Sequence, residues 1–159
     1  MTTHSPDRER PRDGLLLDVM LGKLATYLRM CGYDAAYAMD RGLEHDDPIL
    51  ALARAEGRTL LTRDRGLAAR TDDSVLLSAR EPTEQLRELR EAGFRLELPD
   101  RPMRCSHCNG VVEAVDGDES TPEYAPAPAG TNVWRCRDCG QYFWKGSHWA
   151  DVAATLAEL

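Results

Sequence analysis

Two Cys-x-x-Cys pairs, Cys105/Cys108 and Cys136/Cys139, constrain this chain more than any other feature. Twenty-seven residues separate the pairs. Four thiolates at that spacing can close one tetrahedral zinc site, each pair supplying a knuckle. The competing reading is two disulfides. The first residues, Met1 to Arg12, are polar and charged with no apolar leader, so the expected compartment is cytoplasmic and reducing, where disulfides are rare. Zinc on Cys105, Cys108, Cys136 and Cys139 is therefore the expectation. Asn109-Gly110 and Gly140 follow the knuckles and suit tight turns that aim backbone N–H groups at sulfur. Cys31 stands apart and reads as a buried free thiol.

Upstream of the knuckles the pattern changes. Residues 1–13 read as a disordered arm. Residues 14–100 alternate short apolar runs with helical patterns, which predicts a parallel sheet with right-handed crossovers. Strands are expected at Leu15–Leu17, Ala35–Ala38, Thr59–Thr62, Ser74–Leu77 and Phe94–Leu98. Continuous apolar strands fit a sheet covered on both faces. A helix over Leu21–Met30 stops at Gly32, and a second starts at Asp46-Asp47-Pro48 and stops at Gly57. Gly66–Ala69 is a short helix, and Pro82–Ala92 is amphipathic and stops at Gly93. Residues 101–159 read as a ribbon, with an exposed Pro/Ala/Gly-rich loop near Thr121–Gly130 and a closing helix over Trp149–Leu159. No apolar run is long enough to span a bilayer, so no membrane is expected.

In open α/β sheets, sites form beyond the carboxyl ends of the strands. Asp18 ends the first strand, Asp64 ends the third, Asp40 follows the second, and Asp46 and Asp47 open a helix that the same topology places nearby. Any one of these is as readily a plain cap. Several at one edge repel each other unless a cation sits among them. An all-oxygen set suits Mg²⁺ or Mn²⁺, and such an ion activates water against a phosphodiester. Lys23 and Arg29 lie some 120° apart on the first helix, at 100° per residue. Lys23 is near the strand edge and suits a phosphate, whereas Arg29 suits either that role or a pair with Asp34. Arg63 and Arg65 flank Asp64, either to clamp phosphate or to balance the acids.

The stretch Asp18-Val-Met-Leu-Gly-Lys-Leu-Ala-Thr-Tyr-Leu-Arg-Met-Cys-Gly-Tyr-Asp34 resembles the opening of the Mut-seven C-terminal ribonuclease domain, a branch of the PIN-like nucleases. Glu56-Gly-Arg-Thr-Leu-Leu-Thr-Arg-Asp64 is similar to that family's second motif. Arg104-Cys-Ser-His-Cys-Asn-Gly110 and Cys136-Arg-Asp-Cys-Gly-Gln-Tyr-Phe-Trp-Lys-Gly-Ser-His148 resemble its fused zinc ribbon. The resemblance implies a PIN-like parallel sheet sandwiched by helices, followed by a small C-terminal zinc ribbon. It also implies metal-dependent RNA cleavage, with acids at Asp18, Asp46 and Asp64. Asp72 and Asp73 are candidates for a fourth acid.

The chain carries 20 basic and 27 acidic residues, a net charge of −7. That argues against coating nucleic acid by bulk charge and leaves room for a local RNA surface. Tyr142, Phe143, Trp144, Lys145, His148 and Trp149 interleave rings with a cation. Rings stack on unpaired bases, but packing of the ribbon against the α/β unit is the expected use of Tyr142, Trp144 and Trp149. His107 lies inside the first knuckle and is a contact for solvent or nucleic acid. A noncatalytic RNA- or protein-binding ribbon module is the alternative function. A phospho-acceptor receiver domain is set aside, because neither Lys23 nor Lys145 lies near the end of the last strand.

Overall fold

The computed structural model describes residues 14–159; the arm expected over residues 1–13 lies outside the described residues. The first unit runs β1 (Leu15–Leu17), α1 (Gly22–Met30), β2 (Ala35–Tyr37), a 3₁₀ turn (Ala38–Arg41), α2 (Asp46–Glu56), β3 (Thr59–Thr62), α3 (Arg65–Ala68), β4 (Ser74–Leu76) and α4 (Pro82–Glu91). The four strands are all parallel, in the order β2-β1-β3-β4. Side chains alternate across the sheet with period two. Leu15, Leu17, Ala35 and Leu61 pack on one face with Leu24 and Leu28 of α1 and Leu86 and Leu89 of α4. Leu16, Ala36 and Leu60 pack on the other with Ile49, Leu50 and Ala53 of α2 and Leu67 of α3. Burial on both faces explains why the strands read as unbroken apolar runs.

Phe94–Leu98 is not a strand, contrary to its alternating pattern. Gly93 turns the chain at φ 98°, and the Phe94 N–H donates to the Leu89 carbonyl, closing α4. The Phe94 ring then seats against Tyr33, with centroids 5.6 Å apart. Leu96 and Leu98 pack on the same core. The alternation therefore plugs a helical layer and extends no sheet.

The second unit is a three-stranded antiparallel sheet of β5 (Val112–Ala114), β6 (Trp134–Cys136) and β7 (Tyr142–Phe143), followed by α5 (Ser147–Ala157). Val152 and Leu156 of α5 join the core beneath α1 and α4. The last helix thus leaves the ribbon and completes one face of the parallel sheet. Among the described residues, no helix is long and apolar enough to cross a membrane.

A polar joint ties the two units. Arg29 is buried at 3% exposure. Its Nε donates to the Ala35 carbonyl at 2.8 Å, and its Nη1 donates to the Ser106 and His107 carbonyls at 3.2 and 3.3 Å. Its Nη2 meets Asp40 at 3.3 Å. The Arg29–Asp34 pairing raised by the sequence does not form. Asp34 instead takes Arg58 at 2.9 Å and the Asn109 amide at 2.7 Å, because Arg58 opens β3 across the sheet edge from it. The other end of the Asn109 amide accepts from the Ala35 N–H at 2.9 Å, so one knuckle side chain continues the edge of β2. Asn109 adopts φ 72°, a left-handed turn that Asn tolerates better than most residues.

Burial pushes the Asp34 carboxyl up, but the Arg58 and Asn109 hydrogen bonds and the Arg58 and Arg104 charges outweigh it, so it titrates below its ordinary value of 3.8. The stability this provides is present in full above that value and is lost as pH falls through the lower folded-state value. Thermal melts are expected to show Asp34→Asn destabilised at pH 7, with the gap to the parent closing as pH falls below 3.8 through the lowered folded-state value. Arg29→Met leaves buried carbonyls without a donor and is expected to cost about 2–4 kcal/mol in denaturant unfolding.

Candidate active site and thiol metal centre

The strand order reverses between β1 and β3: β2 lies on one side of β1, and the chain crosses back to place β3 and β4 on the other. A crevice forms at such a switch point, beyond the carboxyl ends of the two strands. Asp18 and Asp64 emerge there. Leu17 of β1 is in register with Leu61 of β3, so Asp18 stands level with Thr62.

Thr62 joins the two acids. It is fully buried, and its hydroxyl donates to Asp18 Oδ2 at 2.6 Å. The Thr62 hydroxyl oxygen in turn accepts from the Asp64 backbone N–H at 3.0 Å. Asp18 Oδ1 accepts from the Val19 N–H at 2.7 Å, which fixes the carboxylate against its own turn. Asp64 Oδ1 caps α3 by accepting from the Leu67 N–H at 3.1 Å. Among the described residues, no Lys or Arg lies within ion-pair distance of either carboxylate. Their charges are held by dipoles, and among the described residues no cation neutralises them. Met20, two residues after Asp18, is 88% exposed and left-handed at φ 73°. A non-glycine residue in that region stores strain, and such strain clusters at functional turns.

The other sequence-predicted residues fall into four groups. Asp46 and Asp47 are exposed in the first turn of α2. Asp47 meets Arg70 at 2.6 Å, whereas Asp46 has no side-chain partner among the described residues. Lys23, in the first turn of α1, is exposed, as are Arg63 and Arg65 beside Asp64. Arg29 and Asp40 are engaged at the joint. Asp72 and Asp73 precede β4 and so lie at the opposite edge of the sheet, where Asp73 accepts from the Thr59 hydroxyl at 2.8 Å. Glu88 of α4, which the sequence pattern did not single out, accepts from Ser78 and Ala79 after β4. Burial pushes Glu88 up, but those N–H and hydroxyl donors outweigh it and hold it below its ordinary value.

The four knuckle thiols converge. Cys105 Sγ lies 3.6 Å from Cys139 Sγ, and Cys108 Sγ lies 3.5 Å from Cys136 Sγ. A tetrahedral ion with sulfur at about 2.3 Å sets edges of about 3.8 Å. A disulfide needs sulfurs about 2.05 Å apart, and all five cysteines are free. The Asp138 and Cys139 N–H groups point at Cys136 Sγ from 3.4 and 3.5 Å. Gly110 is required by this closeness: a Cβ there would fall 2.7 Å from Cys136 Sγ. The cluster could hold zinc, and among the described residues it is the set of three or more Cys, His, Asp or Glu whose ligand atoms lie within 4.8 Å of one another.

The family model of the Mut7-C RNAse domain matches residues 13–156. The chain belongs to the Mut7-C RNAse domain family. No curated protein and no solved structure matches it. The family match spans both units, so in this Mut7-C chain the strand-end acids and the thiol cluster are parts of one matched whole. It is a ribonuclease domain family, and this chain carries an α/β unit and a cysteine-bearing ribbon within the matched span.

Thr62 is the contact that sequence reasoning missed in this Mut7-C chain. Its only signal was a hydroxyl at the end of an otherwise apolar strand, two residues before an acid. Thr62→Val keeps the shape and removes the tether, leaving the Asp64 N–H without its acceptor. A loss of about 1–3 kcal/mol in denaturant unfolding is expected, while Thr62→Ser stays close to the parent.

Proposed function

We propose that this chain is a metal-dependent ribonuclease that hydrolyses RNA phosphodiester bonds at the β1/β3 crevice. The observation that carries the reading is the Asp18–Thr62–Asp64 set: two strand-end carboxylates, each oriented by donors of the chain, with no cation among the described residues to neutralise them. The donors are all oxygen, which fits Mg²⁺ or Mn²⁺ better than a softer ion. Two carboxylates suffice, because Mg²⁺ keeps several waters and takes further ligands from substrate phosphate. When bound, such an ion supplies Lewis acidity at the phosphoryl oxygen and lowers the pKa of its water.

The protein's own groups then have distinct tasks. Thr62 holds Asp18 in one orientation, and Leu67 N–H does the same for Asp64. Asp46, exposed in the first turn of α2 and without an Arg partner among the described residues, supplies the third acid, with Asp47 held beside it by Arg70. Lys23, Arg63 and Arg65 bind backbone phosphates. Arg29 leaves that group, because its guanidinium is buried among carbonyls of the joint. The thiol cluster binds structural zinc and keeps the first knuckle seated on β2, and the ribbon helps hold RNA.

A noncatalytic RNA-binding module is the rival reading. It draws on the spacing of the acids, which do not gather three carboxylates within 4.8 Å. Cleavage separates the two. With Mg²⁺ or Mn²⁺ the parent is expected to cut single-stranded RNA, and Asp18→Asn or Asp64→Asn to slow it by at least about 100-fold with an unchanged melting temperature. Undiminished cleavage by the Asp64→Asn chain would sink the assignment. Binding without cleavage by the parent would favour the module.

Zinc is checked separately. Elemental analysis is expected to find about one equivalent per chain, and Cys136→Ser to lower both zinc content and melting temperature. A chelator is expected to destabilise the parent and to leave the Cys136→Ser chain little changed.

A further inference from the structure

A groove of about 250 Å³ opens where the ribbon meets the end of α1. Four rings line it: Tyr142, Phe143, Trp144 and Trp149. All four are half-buried, and none belongs to either core of the α/β unit. They are therefore not the packing surface that the sequence suggested. The rings are held in place from behind. Tyr124 meets Tyr142 and Trp144 at centroid distances of 6.3 and 6.2 Å, and its hydroxyl oxygen accepts from the Tyr142 N–H at 3.1 Å. Gly146 lets Trp144 fold over its own turn: a Cβ there would fall 2.7 Å from the indole Nε1.

Charge on the groove runs against the charge of the chain. The protein carries 27 acidic residues, yet no Asp or Glu lines this wall. Its basic lining residues are Arg104, His107 and His148. Lys145 stands at the rim with Nζ 5.5 Å from the Trp149 ring centroid. A flat aromatic cleft with a cationic rim complements a planar base that carries a phosphate. The volume is at the small end for ligand sites, which suits one nucleotide.

We propose that this groove is a second RNA subsite, taking one unpaired nucleotide with its base against Trp144 and Trp149 and its phosphate toward Lys145 and His148. The inference rests on the ribonuclease reading for its polymer and adds a contact remote from the cut. The groove lies at Met30, the end of α1 far from Asp18, and nine residues of helix span about 13 Å. An RNA that fills both sites must therefore reach past the crevice by at least the length of α1.

The test uses the full zinc-loaded chain as Asp64→Asn, so that bound RNA stays intact. A fluorescein-labelled 12-nucleotide single-stranded RNA is titrated by anisotropy, with tryptophan emission followed in parallel. RNA is expected to quench that emission. Trp149→Ala is expected to weaken binding by about 5-fold or more, and Lys145→Glu and His148→Glu, both exposed and needing no repacking, to weaken it in the same direction. A tetranucleotide is expected to bind more weakly than the 12-mer and to be insensitive to Lys145→Glu. Equal affinity for duplex RNA, unquenched emission at saturation, or full affinity in both charge variants would overturn the subsite. None of these outcomes bears on cleavage by the parent, whose failure would instead overturn the nuclease reading while leaving quenching and the variant effects intact.

Discussion

Every strand of the parallel sheet is three or four residues long, so the sheet has no length to spare and holds only if both faces are covered. One face is closed by α2 and α3, which lie within the first unit. The other is not. Beside α1 and α4 it takes Val152 and Leu156 of α5, a helix that follows the ribbon in the chain. The ribbon therefore stands between the sheet and its own completion. A small antiparallel sheet of strands two or three residues long has almost no core with which to hold that helix in place. The four thiols and the polar joint at Arg29 and Asn109 supply the rigidity that its apolar surface does not.

That dependence divides the molecule by edge. The knuckle joins the sheet at Asp34 and Ala35, where β2 begins, and Arg58 reaches the same place from the start of β3. The acids emerge at the other edge, where β1 and β3 end. Structural charges are thus collected at one end of the strands and the uncompensated ones at the other. Asp34 is surrounded by donors and held ionised by Arg58, Asn109 and Arg104. Asp18 and Asp64 are held by a hydroxyl and backbone N–H groups, which orient a carboxylate without cancelling its charge. The first arrangement stabilises a joint; the second is what a bound cation requires.

Much of this was legible from residues alone. Leucine runs bounded by Asp18 and by Arg63-Asp64 marked β1 and β3, since a parallel strand covered on both faces is apolar along its middle and charged residues fall beyond its end. The Cys-x-x-Cys spacing marked the thiol cluster because ligand geometry is local to each knuckle. The failures share a cause. Phe94–Leu98 alternates like a strand, but alternation describes which side chains are buried and says nothing of whether a neighbouring strand exists to pair with. Arg29 looked like a phosphate contact because its partners, the Ser106 and His107 carbonyls, lie 77 and 78 residues away and carry no side-chain signature. Thr62 entered only as the last residue of an expected strand. Its role appears only when β1 is laid beside β3 and Asp18 comes level with its hydroxyl.

Net charge proved a weak guide for the same reason. A value of −7 sums groups whose surroundings differ in kind. Asp40, Asp47, Glu56, Glu113 and Glu119 each face an arginine, so much of the arginine content is already paired with acid and offers little to an anionic partner. What remains is unevenly placed: carboxylates without an arginine partner among the described residues at the strand ends, and an acid-free wall of rings and two histidines at the ribbon, with Lys145 beside Trp149. Screening over about 8 Å at physiological salt confines each patch to its own neighbourhood. On the proposed reading the crevice attracts a cation while the groove, one helix length away, presents a cationic rim. A polyanion would then meet this acidic chain through local surfaces that the total charge does not describe.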